Sequence, residues 1–183
     1  MKEIANLQQI LFESWIVGSI SILCKKYNLT DDEKVANLIL KKLIQENFEP
    51  TTNILGIYFM DQYLDVLFKE NGKINITSDE LCIIYSTCFL LSIKVYEDIN
   101  ILNSQFCSTY NLSKENITLK NLKSYELSIL TKLDYKLIIS SEELFDYMIS
   151  TYSEIELDSK LLKRVQQECP KYYTKKFLTP RYQ

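Results

Sequence analysis

The sequence LCIIYSTCFLLSI, residues 81–93, carries no formal charge and is bounded by a glutamate and a lysine. Its length corresponds to roughly three and a half turns of α-helix. A helix that is apolar on every side must be surrounded by other helices. The sequence therefore predicts a globule wrapped around one central helix at 78–95, in which Ile84, Cys88 and Leu91 are nearly inaccessible to solvent.

Signals for helix starts lie on both sides of this run. The pattern S/T-x-x-E occurs at 30–33, 77–80 and 140–143, and in such a capping box the hydroxyl and the glutamate each satisfy a free backbone amide. Apolar spacing typical of helices follows each pattern, and no stretch alternates with a period of two residues, so no strand is predicted. The predicted helices cover about 3–27, 31–47, 53–70, 78–95, 103–110, 118–133, 141–153 and 159–168.

Composition indicates a helical binding module rather than an enzyme. The 183 residues suit one domain, and 46% hydrophobic residues exclude global disorder. The absence of histidine removes the commonest general base and the commonest metal ligand. A net charge of −3 argues against binding nucleic acid non-specifically.

The cysteines predict reduced thiols rather than a disulfide framework or a metal site. Their number is odd, and none belongs to a C-x-x-C pair. No metal and no cofactor are expected. Because no apolar run is long enough to span a bilayer and no cationic signal-peptide start is present, we expect an intracellular protein of the nucleus, the cytoplasm or both. The cysteines are Cys24, Cys82, Cys88, Cys107 and Cys169.

Two charged residues, Lys94 and Glu126, stand where core packing alone would not place them. Lys94 ends the central helix, where a cation is also favourable for the helix dipole. Glu126 lies four residues from both Leu122 and Leu130, which is about 40° around the helix from each leucine. A carboxylate on this apolar face either pairs with a cation or borders a partner-binding surface, because burying it alone would cost several kcal/mol.

Four separated motifs resemble the cyclin box, in the order that the cyclin family has. They are IYFMDQYL at 57–64, LLSIKVYED at 90–98, NITLKNLKSYELSILTKLDYKL at 116–137 and SSEELFDY at 140–147. The resemblance covers roughly residues 31–153. Within the family, the chain is similar above all to the short, single-box P-, U- and Y-type cyclins, the phosphate-regulon-like group. The box of these cyclins also has an asparagine before a short helix.

The resemblance implies an all-α fold with a single cyclin box, in which five helices surround the central buried helix. An N-terminal helix and short C-terminal helices would complete the chain. The implied organisation is an N-terminal helix at 1–29 that packs on the box, the box itself at 30–153, and a short C-terminal helix with a basic tail at 154–183.

The resemblance also implies a function, that of a regulatory subunit which binds and activates a cyclin-dependent Ser/Thr protein kinase by ordering its C-helix. Such a cell-cycle-type kinase regulator forms a heterodimer with the kinase, is no enzyme, needs no cofactor and contacts neither nucleic acid nor the membrane interior. The alternative is a cyclin-fold scaffold or transcription-factor-like module that binds no kinase.

Family positions imply the residues of the kinase-binding site. Lys94 and Glu126 fall on the lysine and the glutamate that hydrogen-bond the kinase, and Asp61 falls on a structural aspartate. Gln62 stands where the family has an arginine, so the usual partner of Asp61 is missing. The implied apolar kinase contacts are Val95, Leu130, Tyr135 and Leu137.

Overall fold

The computed structural model of the chain describes residues 2–29, 32–38, 50–97 and 99–154. These residues form seven α-helices and one 3-10 helix, with no strand among them, which confirms the all-α class. The α-helices are α1 (Lys2–Lys26), α2 (Asp32–Leu38), α3 (Pro50–Asn71), α4 (Ser78–Tyr96), α5 (Asn103–Thr109), α6 (Leu119–Lys132) and α7 (Ser141–Glu154).

Helix α4 is the centre of the molecule, as its uncharged sequence predicts. Every residue from 81 to 93 is buried, and Ile84, Cys88 and Leu91 are at most 3% exposed. The helix begins with the predicted capping box, because the Thr77 hydroxyl accepts from the Glu80 amide while the Glu80 carboxylate accepts from the Thr77 amide. Helices α2, α3 and α6 all pack on α4.

A glycine lets α3 approach α4 closely. A Cβ atom at Gly56 would lie only 3.2 Å from the Cα atom of Phe89. Polar bonds also join the two helices, since the Tyr85 hydroxyl donates to Oδ1 of Asn53 at 3.2 Å. Because the backbones are this close, α3 fixes the position of α4 and of the residues at its carboxyl end.

Asp61 on α3 takes its partners from the end of α1. Its Oδ1 accepts from Nζ of Lys26 at 2.9 Å and from the hydroxyl of Tyr27 at 2.7 Å. Burial, together with this bond to Asp61, raises the pKa of Tyr27. The cation that the family's arginine would supply beside Asp61 thus comes from α1, whose end is thereby joined to α3.

Two local features differ from the sequence prediction. A 3-10 helix, Leu112–Glu115, follows α5 where the sequence indicates only a loop, and its first residue, Leu112, is fully buried. The capping box at α7 is half formed. The Ser140 hydroxyl accepts from the Glu143 amide at 3.1 Å, but the Glu143 carboxylate accepts from the hydroxyl of Tyr58 at 2.5 Å instead of reaching back.

Four of the five cysteines lie within the described residues. Cys24, Cys82 and Cys88 are buried and Cys107 is half-buried, and none of these four forms a disulfide. Burial raises the pKa of the Cys88 thiol. Within the described ranges no helix is both long and apolar enough to cross a membrane. The remaining predictions, which lie outside the described residues, concern the helix at 159–168, the end of the helix at 31–47, the capping box at 30–33 and Cys169.

Candidate functional site

Lys94 and Glu126 are brought together at the surface by α4 and α6. Lys94 lies in the last turn of α4, and its Nζ is 2.5 Å from Oε1 of Glu126. The side chains remain 28% and 19% exposed, respectively. The pair is therefore partly shielded from water but still reachable from outside.

Asn103 completes this pair from a third helix. As the first residue of α5, it accepts a hydrogen bond at Oδ1 from Nζ of Lys94, at 2.5 Å. Its Nδ2 donates to Oε2 of Glu126, also at 2.5 Å. Lys94, Asn103 and Glu126 thus form a closed hydrogen-bonded network, here called the polar triad. Its three members come from three different helices.

Helix α6 presents Glu126 to the triad because its other faces are fixed. Leu122 and Ile129 are fully buried on its inner side. The helix begins with a capping box formed by Thr118 and Asn121. Near its other end, Nζ of Lys132 donates to both carboxylate oxygens of Glu70, at the end of α3, at 2.6 Å each. A helix held at both ends gives Glu126 a defined position.

Exposed apolar side chains lie close to the triad in the chain. Val95 follows Lys94, Leu102 precedes Asn103, and the half-buried Leu130 lies one turn beyond Glu126. The backbone amide of Tyr135 donates to the carbonyl of Leu130 at 2.8 Å, so the backbone of Tyr135 lies beside the end of α6. Val95, Leu102, Leu130, Tyr135 and Ile138 are here called the apolar rim.

Tyr96 fixes the last part of this rim. Its hydroxyl donates to the carbonyl of Leu137 and accepts from the amide of Ile139, at 2.9 Å in each case. Desolvation raises the pKa of Tyr96. The intervening Ile138 is 86% exposed, whereas Leu137 is only 7% exposed and lies in the core. Of the residues implied as apolar kinase contacts, Leu137 is thus covered in the free chain.

Tyr135 has an unusual backbone conformation for an exposed side chain. Its φ is 57°, and Asp134 before it has a φ of 54°. This left-handed region costs a non-glycine residue about 1–2 kcal/mol. The bond from the Tyr135 amide to Leu130, which closes the end of α6, helps to hold the conformation. The tyrosine is therefore directed outward by the way the helix ends.

The arrangement supports recognition rather than covalent chemistry. An ammonium group has three N–H donors, and Lys94 uses two of them within the described residues. A carboxylate accepts up to about four hydrogen bonds, and Glu126 accepts two from the triad. The site therefore offers one further donor and further acceptors to a partner. Among the described residues no cluster of histidine, cysteine, aspartate or glutamate suits a metal ion.

Sequence reasoning identified the charged members of the triad but not the role of its third member. Asn103 was recognisable only as the asparagine that precedes a short helix, without a role. Leu102 and Ile138 in the rim were also missed, because isolated apolar residues in connecting segments have no periodic signal. Their exposure distinguishes them only in three dimensions.

The comparisons with known proteins identify the family of most of the chain. Residues 19–138 match the family model described as Cyclin, N-terminal domain. The match includes all three residues of the polar triad and the whole apolar rim. No curated protein and no solved structure matches the chain significantly.

Proposed function

Because the chain belongs to the cyclin family, we propose that it is the regulatory subunit of a cyclin-dependent Ser/Thr protein kinase, which it binds and activates. The polar triad, together with the exposed apolar side chains that neighbour it in the chain, is the observation that carries this proposal. The protein acts as a heterodimer with the kinase, in the nucleus or cytoplasm, and performs no chemistry itself. We assign it to the single-box P-, U- and Y-type group, with the box at 30–153 between the N-terminal helix at 1–29 and the C-terminal segment at 154–183.

The free hydrogen-bonding capacity of the triad suits backbone groups of a partner. Peptide carbonyls accept from the remaining N–H of Lys94, and peptide amides at a helix start or in a loop donate to Glu126. Both anchors are partly desolvated before the partner arrives, so covering them costs less than covering fully hydrated charges. Kinase contacts here fall to Lys94, Glu126, Val95, Leu130 and Tyr135, whereas Leu137 is buried in the free chain.

The energy available from this surface is of the size that activation requires. A kinase is active when its C-helix glutamate pairs with the strand-three lysine. Converting a mostly inactive population to a mostly active one takes about 5.5 kcal/mol of differential binding. Hydrogen bonds to charged groups contribute about 1.5–3 kcal/mol each, and each large apolar side chain of the rim adds about 1.5–3 kcal/mol when fully covered. Two anchors and part of the rim reach the required difference when these contacts form only with the active position of the C-helix.

Binding measurements with a panel of purified cyclin-dependent kinases test the proposal. Lys94→Ala and Glu126→Ala should each weaken binding tenfold or more, because each leaves a kinase group buried without its partner. Each should also lower the thermal midpoint, since the two side chains bond each other in the free protein. Lys69→Ala is the matched control, because it breaks a lysine–aspartate pair within α3 whose lysine is largely exposed.

The outcomes separate the candidate functions. A lower thermal midpoint with unchanged kinase affinity in both variants would mean that the polar triad is structural only. Failure of every kinase in the panel to bind the folded wild-type chain would favour the alternative, a cyclin-fold scaffold without a kinase. Stimulation of one kinase by the wild-type chain, reduced in both anchor variants but not in Lys69→Ala, would support the proposal.

A further inference from the structure

We propose that Asn103 is the positioning residue of the kinase-binding site, which holds Lys94 and Glu126 in the geometry that a partner meets. This inference rests on the proposed function for its biological meaning. Its physical content is independent of any kinase, because it concerns the conformation of two side chains in the free protein. It makes a neutral residue on α5 as important for binding as the two charged anchors.

The chemistry of the amide fits this role on both sides. The carbonyl oxygen of Asn103 faces the cation, and its NH₂ group faces the carboxylate, so each contact is charge-assisted. Neither an acidic nor an apolar side chain of similar size reproduces both bonds. Aspartate would place a second anion against Glu126, and an apolar residue would offer neither donor nor acceptor. The residue is also almost fully buried, so water does not readily replace the amide.

The support beneath Asn103 is rigid. Phe106, one turn further along α5, is fully buried, with its ring centroid 6.2 Å from that of Phe89 and 4.8 Å from that of Tyr110. Helix α5 is therefore fixed against the central helix by aromatic packing. A binding constellation is precise when its side chains are locked by neighbours on rigid elements, and Asn103 provides that lock.

Without Asn103 the anchors lose their defined positions. Lys94 has four rotatable side-chain bonds, and one contact to Glu126 would not restrict them as two contacts do. The ammonium would then sample solvent, and the partner would have to order it again on binding. We expect Asn103→Ala to weaken kinase binding about tenfold, although Asn103 need not touch the kinase.

A measurement without kinase tests the inference first. The wild-type chain, Asn103→Ala and Asn103→Ser are labelled briefly with an acetylating reagent, and modification of Lys94 is quantified by mass spectrometry. Lys94 should react at least threefold faster in both variants than in the wild type. Asn53→Ala is the matched control: it removes another buried asparagine bond, to Tyr85, and should leave labelling of Lys94 unchanged. An unchanged Lys94 rate in a folded Asn103 variant would overturn the inference, whatever the kinase does.

A double-mutant cycle then links the residue to binding. If Asn103 acts through Lys94, then Asn103→Ala should cost about tenfold in the wild-type background but less than twofold in the Lys94→Ala background. Equal losses in the two backgrounds would contradict a positioning role. If Lys94 labelling rises in the Asn103 variants but no kinase binds the wild-type chain, the proposed function fails while Asn103 remains the residue that positions the pair.

Discussion

Replacing Asp61 by alanine should destabilise the protein far more than replacing Asp65, one turn further along the same helix. The Asp61 side chain is 11% exposed and accepts hydrogen bonds from Lys26 and Tyr27. Asp65 is a half-buried counterpart, 30% exposed, and its partner Lys69 at i,i+4 and 2.5 Å is 74% exposed. The two substitutions remove the same side chain from α3, but only Asp61→Ala removes bonds that join α3 to the end of α1.

The magnitude follows from the partners that are lost. Hydrogen bonds to a charged group contribute about 1.5–3 kcal/mol each. Because Lys26 is 46% exposed and returns partly to water, its share is discounted for solvent screening. The hydroxyl of Tyr27 keeps only the Asp61 backbone carbonyl, at 3.2 Å. We expect Asp61→Ala to lower the free energy of unfolding by about 3 kcal/mol, against about 0.3–0.5 kcal/mol for Asp65→Ala.

Urea denaturation at pH 7 measures both differences, and hydrogen exchange shows where they act. The thermal midpoint should fall by about 2–4 °C per kcal/mol in a chain of this size. Amides at the end of α1 should exchange faster in Asp61→Ala, because the bonds that join α1 to α3 are removed. Equal destabilisation by the two substitutions, or unchanged exchange in α1, would refute the assignment of Lys26 and Tyr27 as the replacement for the missing arginine.

Two further substitutions test the packing around the central helix. Gly56→Ala should lower the free energy of unfolding by about 1 kcal/mol. Overpacking against the backbone of Phe89 costs about 1–3 kcal/mol, which exceeds the gain of about 1 kcal/mol in helix propensity. A raised thermal midpoint would contradict the close approach of the two helices. Tyr85→Phe tests how the free energy of unfolding depends on pH. Burial raises the pKa of Tyr85 above its usual value near 10, so the unfolded chain loses this proton first and the stability that depends on it falls as pH rises above 10. The wild-type chain should therefore lose up to about 1.4 kcal/mol more per pH unit between pH 10 and 11 than the variant does, as measured by urea denaturation; parallel pH profiles would contradict it.

The central part of the fold was predictable because residues 81–93 leave only one solution. A helix without charges has no face to turn to water, so its burial follows from the sequence alone. Helix starts were predictable where the cap is a hydroxyl followed by a glutamate, as at Thr77 and Glu80. The start of α6 was also placed correctly within a residue, although its cap uses Asn121 in place of the glutamate.

Contacts between residues distant in the chain were not predictable from local pattern. The partner of Asp61 lies 35 residues before it, on a helix whose sequence gives no sign of that contact. The backbone at Leu137 likewise accepts a hydrogen bond from the hydroxyl of Tyr96, 41 residues earlier. Such pairs arise from the packing of helices, whereas periodicity reports only which face of one helix is apolar.

The pairing of Lys94 with Glu126 in the free chain is compatible with their proposed role as anchors. A lone lysine at the end of α4 would be mobile and fully hydrated, and a partner would bear the cost of ordering and desolvating it. Within the polar triad both costs are largely met during folding, since the pair is ordered by Asn103 and already shielded from most of the solvent. The remaining N–H of Lys94 and the free acceptor sites of Glu126 then bind a partner with little further loss of entropy. Internal pairing thus strengthens an anchor as long as it leaves one donor and one acceptor free, and this is the condition that the polar triad meets.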